Sequence, residues 1–327
     1  MRTVKRGMAE TVKPGAPSQA GLSLADVAKA VEDARAALLS RGVTGAGGEG
    51  GVADLLTLLD RCREYADGAG AEPIRTIHHF ACIGGTLITK CLASMPNTQV
   101  LSEVDPLSAG DQNSNRRFFP TDLIRLARLS TRGADDALLQ DIFIQGLKAI
   151  YQDCVRKGQR LIIRDHAHSH FCVGPRIPER PSLRAMIGSA FPCLSAIQVR
   201  HPLDSFLSLL ANRWLHFEPG TLDEYCRRYI AFLDHYPSVR IFRYEDFIDR
   251  PEEVMEDMCR ELRISYTPDF MDTFHVHKVS GDSGRSGKVI GTRPRRIIPE
   301  DVRGQLSESA RFAELCQRLG YENVMND

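Results

Sequence analysis

An α/β fold is predicted for this chain: a central parallel sheet flanked by helices, with a helical extension ahead of it. Three observations predict it. From Ile74 onward, short apolar runs alternate with segments of helical periodicity, the pattern of a parallel sheet covered on both faces. Residues 74–103 join a strand, a glycine turn and a helix in that order. The polar residues with chemistry to offer, Gly84-Gly85, Asp165-His166 and Arg200, all fall at the carboxyl ends of predicted strands, where such sheets collect ligands.

The elements follow in order. Residues 1–22 are rich in Gly, Pro, Ala and Ser and are expected to be a disordered tail. Residues 23–72 are expected to form a helical extension: Ser23 can cap a first helix carrying Val27, Val31, Ala34, Leu38 and Leu39. A glycine-rich linker over 45–51 separates it from a second amphipathic helix with Leu55, Leu56, Leu58 and Leu59. These helices are candidates for packing or for self-association into a homo-oligomer. The main domain is expected over 73–327. Within it, residues 74–81 predict a buried strand, and Gly84-Gly85 a tight turn. Residues 86–95 predict a helix that Pro96 ends. Val100-Leu101 predicts a short strand leading to Ser102-Glu103, and 105–120 a polar surface loop. Helices are expected over 121–131 and 134–156, the second with Leu138, Ile142, Leu147 and Ile150 on its buried side. Residues 160–164 predict a strand that ends in Asp-His-Ala-His-Ser-His. Then come a strand at 193–200 and helices at 202–214 and 221–236. Thr221 and Glu224 have capping-box spacing. A strand at 239–244 and a helix at 251–262 follow.

Composition narrows the function. Lys plus Arg and Asp plus Glu each number 42 among 327 residues, a net charge of zero. This balance argues against nucleic acid or an anionic membrane as the main partner, so an anion site must be a local cluster of basic residues. No apolar run approaches the ~20 residues that span a bilayer. No secretory leader is visible at the start of the chain. The nine cysteines are scattered without a C-x-x-C pair, which fits reduced thiols, and a cytoplasmic location is the expectation.

Two segments carry the chemistry. The turn Gly84-Gly85-Thr86-Leu87 opens a helix after a strand, so backbone N–H groups and a helix N-terminus can seat a phosphate. Arg200, at the end of a later strand, is followed by Ser205 and Ser208 on the next helix. A guanidinium with one or two hydroxyls suits a phosphate monoester. The pair of segments resembles the sulfotransferase family that uses 3′-phosphoadenosine 5′-phosphosulfate, a bacterial-type, P-loop-like fold. The resemblance covers roughly residues 74–296. It implies that Gly84, Gly85, Thr86 and Leu87 hold the 5′-phosphosulfate and that Arg200 with Ser208, eight residues on, holds the 3′-phosphate. It also implies that the glycine-rich basic loop with Arg285, Ser286 and Gly287 closes over the nucleotide. No metal is required by that chemistry. Arg243-Tyr244-Glu245-Asp246 followed by Pro251 resembles a third element of the family, mainly structural.

By the same resemblance His166 is the expected general base and Arg164 an anion contact, with Glu103 as the alternative base. A neutral imidazole can take a proton from an acceptor hydroxyl or amine near neutral pH. Family members often carry Lys or Arg just before the glycine turn, where this chain has Cys82-Ile83. The missing charge is left to Lys90, to Arg164 or to the C-terminal loop. The alternating histidines 166, 168 and 170 would share a face if extended, an arrangement that also suits a metal, but no acidic or cysteine partner stands at ligand spacing. Arg293, Arg295 and Arg296 could meet a phosphate or an acidic acceptor. Trp214 and Phe217 could stack on adenine or line the acceptor pocket, and core packing is the commoner role for such residues.

The expected activity is therefore in-line sulfuryl transfer to a hydroxyl or amine of a small-molecule or carbohydrate acceptor. A nucleotide-dependent kinase is the rival enzyme, since Asp165 could hold magnesium. It lacks the Gly-Lys-Ser/Thr of a triphosphate loop, because Gly85 is followed directly by Thr86. A non-catalytic nucleotide-binding module is the alternative from a different class.

Overall fold

In the computed structural model the described residues are 71–108, 121–281, 289–292 and 294–322, together with Lys29, Asp33 and Ala36. Those three are helical and exposed. All of the predicted tail, most of the helical extension, most of the 105–120 loop, and Arg285, Ser286, Gly287 and Arg293 lie outside the described residues. The unit treated below spans Ala71–Asp327.

Five strands form a parallel sheet: β1 (Ile74–His79), β2 (Thr98–Val104), β3 (Arg160–Asp165), β5 (Cys193–Val199) and β7 (Arg240–Arg243), in the order β2-β3-β1-β5-β7. The fold class is the predicted one. β1 is central and every residue of it is buried, the polar Arg75, Thr76, His78 and His79 included, as a strand covered on both faces requires. Two short strands, β4 (Val173–Gly174) and β6 (His216–Phe217), pair in parallel beside the main sheet.

Helices cover the sheet. α1 (Gly85–Ala93) follows β1, α2 (Leu123–Arg128) and α3 (Asp136–Arg156) connect β2 to β3, and α4 (Ala167–Phe171) and α5 (Leu183–Gly188) connect β3 to β5. α6 (Pro202–Ala211) and α7 (Leu222–Asp234) lead to β7, and α8 (Tyr244–Asp249), α9 (Pro251–Leu262) and α10 (Phe270–Thr273) succeed it. The C-terminal pair α11 (Glu300–Glu308) and α12 (Ala310–Leu319) closes the described chain. α7 packs on α12, and its Phe232, Tyr225 and Tyr229 join Phe80 of the β1–α1 turn in an aromatic cluster.

Several expectations are corrected. β2 is seven residues long because Thr98, Gln99 and Val104 also pair with β3. α3 buries Leu139, Leu147 and Cys154, while Leu138 and Ile150 are exposed. Apolar residues surround this helix on most sides, so periodicity alone chose the wrong stripe. Residues 167–171 are helical rather than extended, so His168 and His170 do not share a strand face. Thr221 caps α7 as predicted by accepting from the Glu224 N–H, but the Glu224 carboxylate turns to Arg227 and Arg228 instead of closing a capping box.

Candidate active site

A cavity of about 760 Å³ opens at the carboxyl ends of β1, β2, β3 and β5. The β1–α1 turn, with Gly84, Gly85, Thr86 and Leu87, makes one wall together with Lys90 of α1. Glu103, Arg164 and His166 make another, and Arg200 and Ser208 a third. The cavity thus brings together Gly84, Gly85, Thr86, Leu87, Lys90, Glu103, Arg164, His166, Arg200 and Ser208 of the residues that the sequence singled out.

The turn is built by its neighbours. Gly84 is left-handed, with φ of 87°, and an ideal Cβ there would lie 2.5 Å from Cε2 of Tyr244. A Cβ on Gly85 would lie 2.5 Å from Nε2 of His79. Both glycines are therefore required by close packing, and Gly84 by its backbone as well. The buried amide of Gln198 on β5 donates to the Ile83 carbonyl at 3.1 Å and fixes the turn from below. At the helix start the Leu87 N–H is taken by the Gly84 carbonyl at 3.0 Å. The N–H groups of Gly85 and Thr86 precede the first intrahelical bonds, so these two are the donors that α1 presents at its positive end.

Arg200 forms the second seat. Its Nη1 donates to the Cys82 carbonyl at 3.3 Å and to Ser208 Oγ at 3.5 Å, and its guanidinium lies 5.1 Å from the Tyr244 ring centre. Ser208 in turn donates to the Asp204 carbonyl at 2.8 Å. Tyr244 thus touches both seats, a position that the sequence reading of its segment as mainly structural did not anticipate. Ser205 is fully buried and donates to the His201 and Pro202 carbonyls at 3.0 Å, so it is not part of the wall.

The wall of Glu103, Arg164 and His166 is an ordered chain of polar groups. Arg164 is buried. Its Nε donates to His79 Nε2 at 2.7 Å, its Nη1 donates to Ser102 Oγ at 3.1 Å, and its Nη2 pairs with Glu103 Oε1. Arg164 is thereby an internal partner of Glu103 rather than a bare anion contact. The other Glu103 oxygen lies 3.4 Å from Nε2 of His166. Glu103 adopts φ of 58°, which turns its side chain inward against Gly281. Burial raises the Glu103 carboxyl above its ordinary range, and the Arg164 charge only partly offsets this. His166 is the more exposed member of the pair. Its ring stacks on His168 at 6.1 Å between centres, and burial lowers His168 to about 4, so that ring is neutral at physiological pH. His168, His216, Asn212 and Trp214 line the remaining side of the cavity.

Other expected contributors stand elsewhere. The Asp165 carboxylate is bound by His78 Nδ1 and by the Tyr236 hydroxyl, each at 2.8 Å, and does not face the cavity. Arg295 donates to both oxygens of Asp204, at 2.8 and 3.2 Å, and Arg296 is exposed. Phe217 is buried beneath Arg228 and packs in the core, whereas Trp214 reaches the cavity. Ile83, where a basic residue was expected, is fully buried. The sequence reading missed His79. Its signal was two adjacent histidines in a segment predicted to be a buried strand, since buried imidazoles there must find polar partners.

No protein-family model and no curated protein matches the sequence. Among solved structures the chain is similar to a sulfotransferase domain from the curacin biosynthetic pathway, with 15% identity over 78% of this chain and 99% of that one and a TM-score of 0.47. It is also similar to a sulfotransferase from Alicyclobacillus acidocaldarius, with 17% identity over 77% and 98% of the two chains and a TM-score of 0.43. Mouse sulfotransferase SULT7A1 complexed with PAP gives 12% identity over 77% and 89% of the chains and a TM-score of 0.42.

Proposed function

We propose that the chain transfers a sulfuryl group from 3′-phosphoadenosine 5′-phosphosulfate to a hydroxyl or amine of a small-molecule or carbohydrate acceptor. The observation that carries this reading is that the Gly84-Gly85 turn and the Arg200–Ser208 pair open on one cavity. Two anion seats joined through Tyr244 suit a nucleotide with phosphates at two positions. The turn suits such a group because the N–H groups of Gly85 and Thr86, at the start of α1, can meet the 5′ end. Arg200 and Ser208 meet the 3′-phosphate. Residues 285–287 are assigned to the same end by resemblance.

In the reaction the acceptor oxygen or nitrogen bonds to sulfur while the bond from sulfur to the phosphate oxygen breaks, and the bisphosphate nucleotide leaves with that oxygen. The acceptor proton passes to the Glu103–His166 pair. His166 meets the acceptor from the more exposed position, and Glu103 balances the imidazolium that forms. Lys90, on the helix of the turn itself, is assigned the charge that developing negative oxygen requires, because Arg164 is committed to Glu103. Most of the acceleration then comes from positioning and charge stabilisation.

Asp165, which the kinase reading needs for magnesium, is instead bound by His78 and Tyr236. The test is calorimetry with adenosine 3′,5′-bisphosphate. Arg200→Ala is expected to weaken binding by ~2–4 kcal/mol with an unchanged melting temperature. Equal affinity in the two proteins would refute the assignment.

A further inference from the structure

The central strand places two imidazoles side by side, and they divide the end of β3 between them: His78 takes Asp165 on one face and His79 takes Arg164 on the other. The second pair reaches the cavity. His79 Nδ1 lies 3.0 Å from the Phe80 carbonyl, which can only accept, so that nitrogen carries the hydrogen. Its Nε2 is then a lone pair, and it receives the Nε–H of Arg164 at 2.7 Å. A guanidinium cannot take the acceptor role, so the tautomer is fixed from both ends. The ring is also wedged beneath α1, against the space that a Cβ on Gly85 would need.

We propose that His79 is a positioning residue that, through Arg164, sets the place and charge of Glu103 at the cavity wall. The inference rests on reading Glu103 and His166 as the proton-accepting pair. The chemistry explains why an imidazole serves here. A carboxylate beneath Arg164 would compete with Glu103 for the guanidinium, whereas a neutral ring fixes the guanidinium and leaves its whole charge to Glu103. Burial, and then the Arg164 charge, hold His79 well below the ordinary histidine range, in keeping with that neutral role. The charged and titratable groups facing it are Arg164, His166 and His78; those facing Glu103 are Arg164, His166 and Asp165.

The test uses nuclear magnetic resonance of the full chain labelled in histidine and glutamate side chains. In the unaltered protein His79 is expected to hold the Nδ1–H tautomer without titrating between pH ~5 and ~8. His79→Leu removes the acceptor, and the Glu103 carboxyl is expected to titrate at a pH higher by about half a unit or more. His79→Gln offers an amide oxygen to Arg164 and is expected to restore the original midpoint. Protonation of His79 in that range, the opposite tautomer, or an unmoved Glu103 midpoint in folded His79→Leu would overturn the proposal. The tautomer measurement needs no variant and decides the matter even if His79→Leu does not fold. Adenosine 3′,5′-bisphosphate binding is measured alongside. Absent binding with an intact coupling would refute the sulfuryl-transfer reading and leave the His79 linkage standing.

Discussion

The Tyr244 ring occupies the space that a side chain on Gly84 would need, with Cε2 2.5 Å from the ideal Cβ position. The Gly84-Gly85 turn is therefore shaped by a residue 160 positions away, and the same ring lies against Arg200. Gly84→Ala meets two penalties, a left-handed backbone and an aromatic ring that cannot yield freely. Together they are expected to cost ~2–4 kcal/mol in stability and to abolish bisphosphate nucleotide binding. Adding Tyr244→Ala should recover part of the stability but leave the strained backbone, a difference that a double-mutant cycle of melting free energies measures.

Turnover should fall on the acid side at a pH above the ordinary glutamate range of ~4.3, because burial raises Glu103. The sign follows directly: as pH drops through the raised value, Glu103 gains a proton and no longer balances His166. Glu103→Gln is expected to lower turnover ~100-fold or more and to remove that limb from the pH profile, while His166→Ala lowers turnover with nucleotide affinity retained. Once an acceptor has been found by labelled sulfuryl transfer into a metabolite extract, profiles of rate against pH for the three proteins check this.

Acid stability should depend on Asp105. Burial would raise its carboxyl, but the two bonds from Arg180, at 2.7 and 2.6 Å, and the bond from Ser169 hold it below the ordinary aspartate range. A depressed native value contributes stability above the unfolded value of ~3.9, and this is lost as pH falls through the native one. Asp105→Asn, which leaves the partly buried Arg180 without its carboxylate partner, is expected to cost ~2–4 kcal/mol at pH 7 and much less at pH 2. Melting temperatures of both proteins at the two pH values give the comparison.

The local signals in the sequence were strong where one segment decides the outcome. The strand, glycine turn and helix at 74–95 follow from burial, a left-handed glycine and a proline stop, and α9 begins at its proline and ends at Leu262 as predicted. The residues that line the cavity were legible where they punctuate strand ends, as the glycine turn, His166 and Arg200 do. What escaped was relational. Arg164 looked like an anion contact until its neighbours on β1 and β2 engaged all three of its nitrogens. Tyr244 looked structural until the fold laid its ring over Gly84. Leu138 and Leu139 both suit a buried stripe, and tertiary packing chose the second.

β2 borders only β3, whereas β1 is held by a strand on each side. The Gly84-Gly85 turn and Arg200 follow β1 and β5 in the middle of the sheet, but Glu103 stands on its rim, fastened by Arg164 and by the bonds between Ser102 and Ser280. The two halves of the site are thus expected to differ in local stability. Partial unzipping of the rim would withdraw the proton-accepting group while the nucleotide stays bound. As urea is raised, turnover is expected to disappear before bisphosphate nucleotide binding does, making catalysis the more fragile property of a single cavity.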